Sequence, residues 1–176
     1  MAQAHARLDR VLCWVENAAA ASAGVALAAA MVLVSCDAIL RHFFAAPLTF
    51  QFQLTESYLM VFGIMLALPW GYRTGGKIQV LMLLDALGPF LRSVLFRAGL
   101  IVSAVYMAVL GWRSFLVAQE AFANHELIMG VIDWPVGWSW IWVPVGCVLL
   151  AARLGLDAAA PVLPDIEPAA ETGQPR

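Results

Sequence analysis

The stretch Leu54–Val80, LTESYLMVFGIMLALPWGYRTGGKIQV, decides how the chain folds. It opens beside one carboxylate, Glu56, runs almost wholly apolar to Tyr72, and closes on Arg73 and Lys77. About 20 apolar residues, rising 1.5 Å each, cross a hydrocarbon layer of about 30 Å. A helix satisfies its own backbone there, whereas a lone strand leaves its amides unpaired. The stretch therefore predicts a transmembrane helix over about Leu54 to Tyr72, with Pro69 kinking or closing it near its end. In GYRTGGK the spacing is wrong for a phosphate-binding loop, and its place at the membrane exit predicts a turn.

The rest of the chain repeats the pattern. Of 176 residues 62% are hydrophobic and 12% charged, against roughly a quarter charged in soluble domains. Three further apolar runs extend over about Ala18–Leu40, Val94–Leu116 and Val136–Leu156. Arg97 and Arg113 bound a short uncharged core in the third and are expected to snorkel to the two interfaces. Pro135 suits the first turn of the fourth, and Pro144 bends it. Between the second and third runs, KIQVLMLLDALGP is too short to cross and predicts a short interfacial helix. The N-terminal HARLDRVLCWVENA places charges among Leu, Val and Trp at helical spacing. It predicts a surface helix leading into the first span.

The fold class is thus an all-α membrane protein: four transmembrane helices, an interfacial helix between spans two and three, and an N-terminal surface helix. Residues 1–157 make one transmembrane domain, with spans about 18–40, 54–72, 94–116 and 136–156. Residues 158–176, rich in Ala, Pro and acid, are expected to be a disordered cytoplasmic tail.

Orientation follows from the basic residues. With a cytoplasmic N-terminus, Arg7, Arg10, Arg73, Lys77, Arg92, Arg97, Arg153 and Arg176 fall inside, and only Arg41 and Arg113 outside. That bias predicts both termini in the cytoplasm. Trp14 and Trp70 then mark the inner interface, and Trp112, Trp134, Trp138 and Trp142 mark or approach the outer one. The last three, four residues apart, are expected to share a helix face as part of an aromatic belt.

Several chemistries find no support. Cys13, Cys36 and Cys147 lack CxxC spacing and read as free thiols. His5, His42 and His125 are terminal or loop-facing, not at the mid-membrane depth of axial haem ligands. No catalytic set is legible, so no enzyme activity and no cofactor are expected. A metal site from His125, Glu126 and Asp133 is not expected either, nor is lipoprotein cleavage at LVSC. No basic patch suggests nucleic acid, and no internal repeat suggests a complete transporter core.

The residues needing a reason are Asp37, Arg41, Glu56, Arg73 and Lys77, candidates for structural or partner-interface roles. An ionisable residue within a span is costly, most so at its centre. Asp37 and Arg41 stand four apart at the outer end of the first span and can pair. Arg41 and Glu56 are expected at one depth. Three readings stand: an interhelical cluster with Arg41 neutralising Glu56, a contact with another membrane protein, or a substrate or ion site.

Three patches, in order, resemble one family. DAILRHFFAAPLTFQFQLTESYLM has an arginine and aromatics before a Pro-Leu turn, then a glutamate opening the second helix. GYRTGGKIQVLMLLDALGP resembles an Arg-x-Gly-Gly-His-Ile-x-Val-Asp region, with Lys77 in place of His and Leu81 in place of Asp. IDWPVGWSWIWVPVGCVLL has a loop proline and then Pro-x-Gly inside the last helix. From about Val11 to Leu154 the chain resembles the small membrane subunit (DctQ-like) of tripartite ATP-independent periplasmic (TRAP) transporters. That resemblance implies a large TRAP permease subunit and a periplasmic solute-binding protein as partners in the bacterial inner membrane. It also implies scaffolding of the permease, help in docking the binding protein, and uptake of an organic acid driven by an ion gradient. The reading from a different class is a membrane-anchor subunit of a redox enzyme complex.

Overall fold

The computed structural model describes residues 2–44, 48–75, 89–125, 127–128 and 134–159. Four of its helices are long and apolar enough to cross a membrane, so the chain is an all-α, multi-pass membrane protein. The first, α1, runs unbroken from Ala2 to Phe44. The N-terminal helix read from the sequence is therefore continuous with the first span. At 43 residues it is about 64 Å long, well over the hydrocarbon thickness.

The second span is composite. Helix α2 (Gln51–Leu54) passes into a π-helical segment, Thr55–Met60, and then into α3 (Val61–Arg73). Helix α3 ends as expected at GYRTGGK. The Thr74 amide and hydroxyl both donate to the Trp70 carbonyl, each at 3.0 Å. Gly75 follows at φ +92°, the left-handed conformation that ends helices and suits glycine. The third span lies in α4 (Pro89–Ala123). Two-residue strands β1 (Leu127–Ile128) and β2 (Trp134–Pro135) then pair antiparallel. The fourth span is broken into α5 (Val136–Trp140) and α6 (Trp142–Ala159). The break has a local cause: Pro144 has no amide proton for the Trp140 carbonyl, and its ring crowds that carbonyl. Pro135 stands one position earlier than expected, capping α5 in extended conformation.

The spans pack as an open row. Helix α3 lies between α1 and α6, and α4 covers the far side of α6. Two small apolar clusters hold the row. Ala19, Ala23 and Leu66 join α1 to α3, and Leu100, Leu150 and Leu154 join α4 to α6. The centre of the row is a close backbone approach. Pro69, fully buried, cannot donate to the Met65 carbonyl one turn back. Gly146 of α6 sits against that carbonyl, and a Cβ there would lie 2.9 Å from the Met65 Cβ. Only glycine lets the two backbones meet.

Much apolar surface remains outside, including Val25, Met31 and Val32 on α1 and Val102, Val105 and Tyr106 on α4. In water so large an apolar surface would drive association. Hydrocarbon is its natural solvent.

The expected interfacial helix between spans two and three lies outside the described residues, as does the expected tail from 160 onward. The tryptophans do not form one belt face. Trp134 stands in β2, outside the helix. Trp138 is exposed, 6.0 Å from the Phe122 ring. Trp142 turns inward, edge-on to Phe62 at 4.6 Å. The break at Ile141 shifts it off the Trp138 face.

Candidate functional site

Charged side chains gather at the two ends of the helices. At one end α1 begins while α3 and α6 finish. Arg73, the last residue of α3, places Nη1 3.2 Å from Glu16 Oε2 on α1. It also donates to the Asn17 side chain and, at 3.4 Å, to the Cys13 carbonyl. Arg153 of α6 reaches Asp9 at 2.8 Å, Asp157 at 3.5 Å and Glu16 at 3.9 Å. Glu16 is wholly buried, yet among the described residues no hydrogen bond reaches either of its oxygens. Its charge is balanced by the two guanidinium groups. Three carboxylates and two arginines thus tie α1, α3 and α6 together where each leaves the apolar layer. Arg73 is therefore a partner in an interhelical network as well as a basic residue at a span end. Lys77 lies outside the described residues.

The cluster was hidden by the N-terminal stretch, which reads as a solvated face. Its signal is spacing. Asp9, Cys13 and Glu16 fall on one helix face, and Arg153 and Asp157 are four apart.

At the opposite end Asp37 is spoken for twice. Its Oδ2 accepts from Arg41 Nη2 at 3.0 Å, and its Oδ1 accepts the Leu48 amide at 2.7 Å, fastening the turn into α2. Arg41 leaves 67% of its side chain exposed. No ion pair joins it to Glu56 among the described residues, contrary to the sequence expectation. The reason is local: the acid one turn back on the same helix holds Arg41 without any interhelical constraint.

Glu56 is exposed, within the π-helical segment. The two residues that follow it are tethered elsewhere. The Tyr58 hydroxyl donates to the Pro135 carbonyl at 2.5 Å, and the Ser139 hydroxyl donates to the Ser57 carbonyl. A π-helical turn is rare, and such turns cluster at functional sites. Here it is held to β2 and α5 while Glu56 itself is exposed.

The sequence resemblance is met by an independent comparison. The family described as "Tripartite ATP-independent periplasmic transporters, DctQ component" matches residues 30–162. No curated protein and no solved structure matches the chain. The matched region takes in Asp37, Arg41, Glu56, Arg73 and Arg153, whereas Asp9 and Glu16 lie before it.

Proposed function

Because the chain belongs to the DctQ component family of tripartite ATP-independent periplasmic transporters, we propose that it is the small accessory membrane subunit of such a transporter. It scaffolds the large permease subunit and helps the periplasmic solute-binding protein to dock. The assembly takes up an organic acid at the expense of an ion gradient. The family match over residues 30–162 is the observation that carries this reading. An open row of four spans, with small clusters and wide apolar faces, suits a part that packs against a larger one. Packing between helices in lipid rests on close fit and on polar contacts of about 0.6 kcal/mol each.

The subunit resides in the bacterial inner membrane with both termini cytoplasmic. The excess of arginine and lysine on one side supports this orientation. It places the Glu16 cluster at the cytoplasmic face and Glu56 at the periplasmic face. Affinity purification of the tagged chain from its native membranes tests the proposal. A large multi-span permease should be recovered with it, and a solute-binding protein should bind the recovered pair. Recovery of the chain alone, stable and without such a partner, would reject the accessory role. Reporter fusions at either terminus should be active in the cytoplasm, and one near Asn124 in the periplasm. A periplasmic C-terminus would reject the orientation.

A further inference from the structure

Glu56 stands in an exposed apolar stripe. Phe52, Glu56, Met60, Ile64 and Leu68 recur every four residues along the second span, and each is exposed. Phe52, one turn outside Glu56, is 70% exposed, so the carboxylate has apolar surface on both sides. Depth makes this costly. Glu56 and Arg73 stand 17 positions apart, about 25 Å at helical rise and less through the π turn, against about 30 Å of hydrocarbon. Arg73 is neutralised by Glu16 where α3 leaves the apolar layer. Glu56 therefore falls at the lip of the hydrocarbon layer, with no ion pair among the described residues.

The stripe runs into a groove. Leu27 of α1, Ile64, Leu68 and Gly71 of α3, Ser103 of α4 and Leu154 of α6 line a trough of about 590 Å³. Its lining is mainly apolar.

We propose that this stripe and groove form the docking face for one transmembrane helix of the partner permease, and that this helix carries a Lys or Arg opposite Glu56. The inference rests on the accessory-subunit reading and names its interface. Charge complementarity identifies the occupant. A carboxylate amid exposed apolar side chains at this depth needs a cation, and the trough below it needs an apolar helix. Tethering of Ser57 and Tyr58 holds the acid in place before the partner arrives.

The test co-expresses the chain with its permease. A photo-crosslinking amino acid is placed in turn at Met60, Ile64 and Leu68, and at Val102, Val105 and Val109 on the exposed face of α4. Adducts to the permease are expected from the first set and not from the second. Glu56→Gln should lower recovery of the complex by about tenfold or more, because it strands the partner's cation. Glu56→Asp should restore much of it, and Val102→Trp should leave it unchanged. Thermal unfolding of the isolated chain should be the same for wild type and Glu56→Gln, which separates docking from folding. Wild type that forms the complex but gives adducts only from α4, or only to lipid, would overturn the docking face alone. So would full recovery with Glu56→Gln. Wild type that forms no complex would overturn the accessory role together with the interface.

Discussion

Removing Arg73 should cost more than its place at the end of a helix suggests. The guanidinium lies 3.2 Å from Glu16, a carboxylate with no exposed surface and no hydrogen bond to either oxygen among the described residues. In Arg73→Gln, Glu16 keeps only Arg153 among the described residues, at 3.9 Å. Breaking one side of a buried pair costs about 3–5 kcal/mol. The Arg73 side chain is 20% exposed and Arg153 remains nearby, so the lower end, about 3 kcal/mol, is expected. Arg153→Gln should cost at least as much, because it removes one cation from Asp9, Glu16 and Asp157 together. Asp9→Asn should cost less than about 1 kcal/mol, as expected for a pair with a 45%-exposed acid. Arg73→Gln combined with Glu16→Gln should be milder than Arg73→Gln alone, since the buried charge is gone. The assay is reversible denaturant unfolding of the purified chain in mild detergent, followed by tryptophan fluorescence. Equal losses for Arg73→Gln and Asp9→Asn would show that burial of Glu16 does not set the cost, as would a double variant whose loss is the sum of the two singles.

Three other outcomes follow from packing. Gly146→Val should separate α3 from α6 at Met65 and cost about 1–3 kcal/mol in the same unfolding assay, as overpacking does. Ser139→Ala and Tyr58→Phe should each cost about 1 kcal/mol or less and raise amide hydrogen exchange across Thr55–Met60; unchanged exchange would mean the π turn is not held by α5 and Pro135. Asp37→Ala, which loses both the Leu48 amide and Arg41, should cost about 1–2 kcal/mol, whereas Arg41→Gln should cost about 0.5 kcal/mol or less; unfolding midpoints for the two variants decide the order.

The spans were legible because lipid imposes one rule on every backbone group, so length and apolarity suffice. The turn at Thr74–Gly75 and the break near Pro144 were legible for a similar reason: Gly and Pro act through their own backbone. Charge pairing was legible only where it was local. The Asp37–Arg41 pair is an i, i+4 neighbour relation that spacing alone displays, whereas the expected Arg41–Glu56 pair does not form among the described residues. Arg73 with Glu16 and Arg153 with Asp9 join residues far apart in the chain, and sequence spacing does not say which helix faces meet. The π turn at Thr55–Met60 contains neither Gly nor Pro and was invisible. Its hydrogen bonds to Ser139 and Pro135 come from the far end of the chain. The tryptophan spacing misled because a helical period was extended across a helix break.

Reconstituted uptake shows whether the permease needs this chain. Proteoliposomes are prepared with the permease alone, this chain alone, or both, and the solute-binding protein, loaded with a labelled organic acid, is added outside under a sodium or proton gradient. Uptake is expected only when both membrane chains are present. Full uptake by the permease without this chain, or uptake by this chain alone, would contradict it.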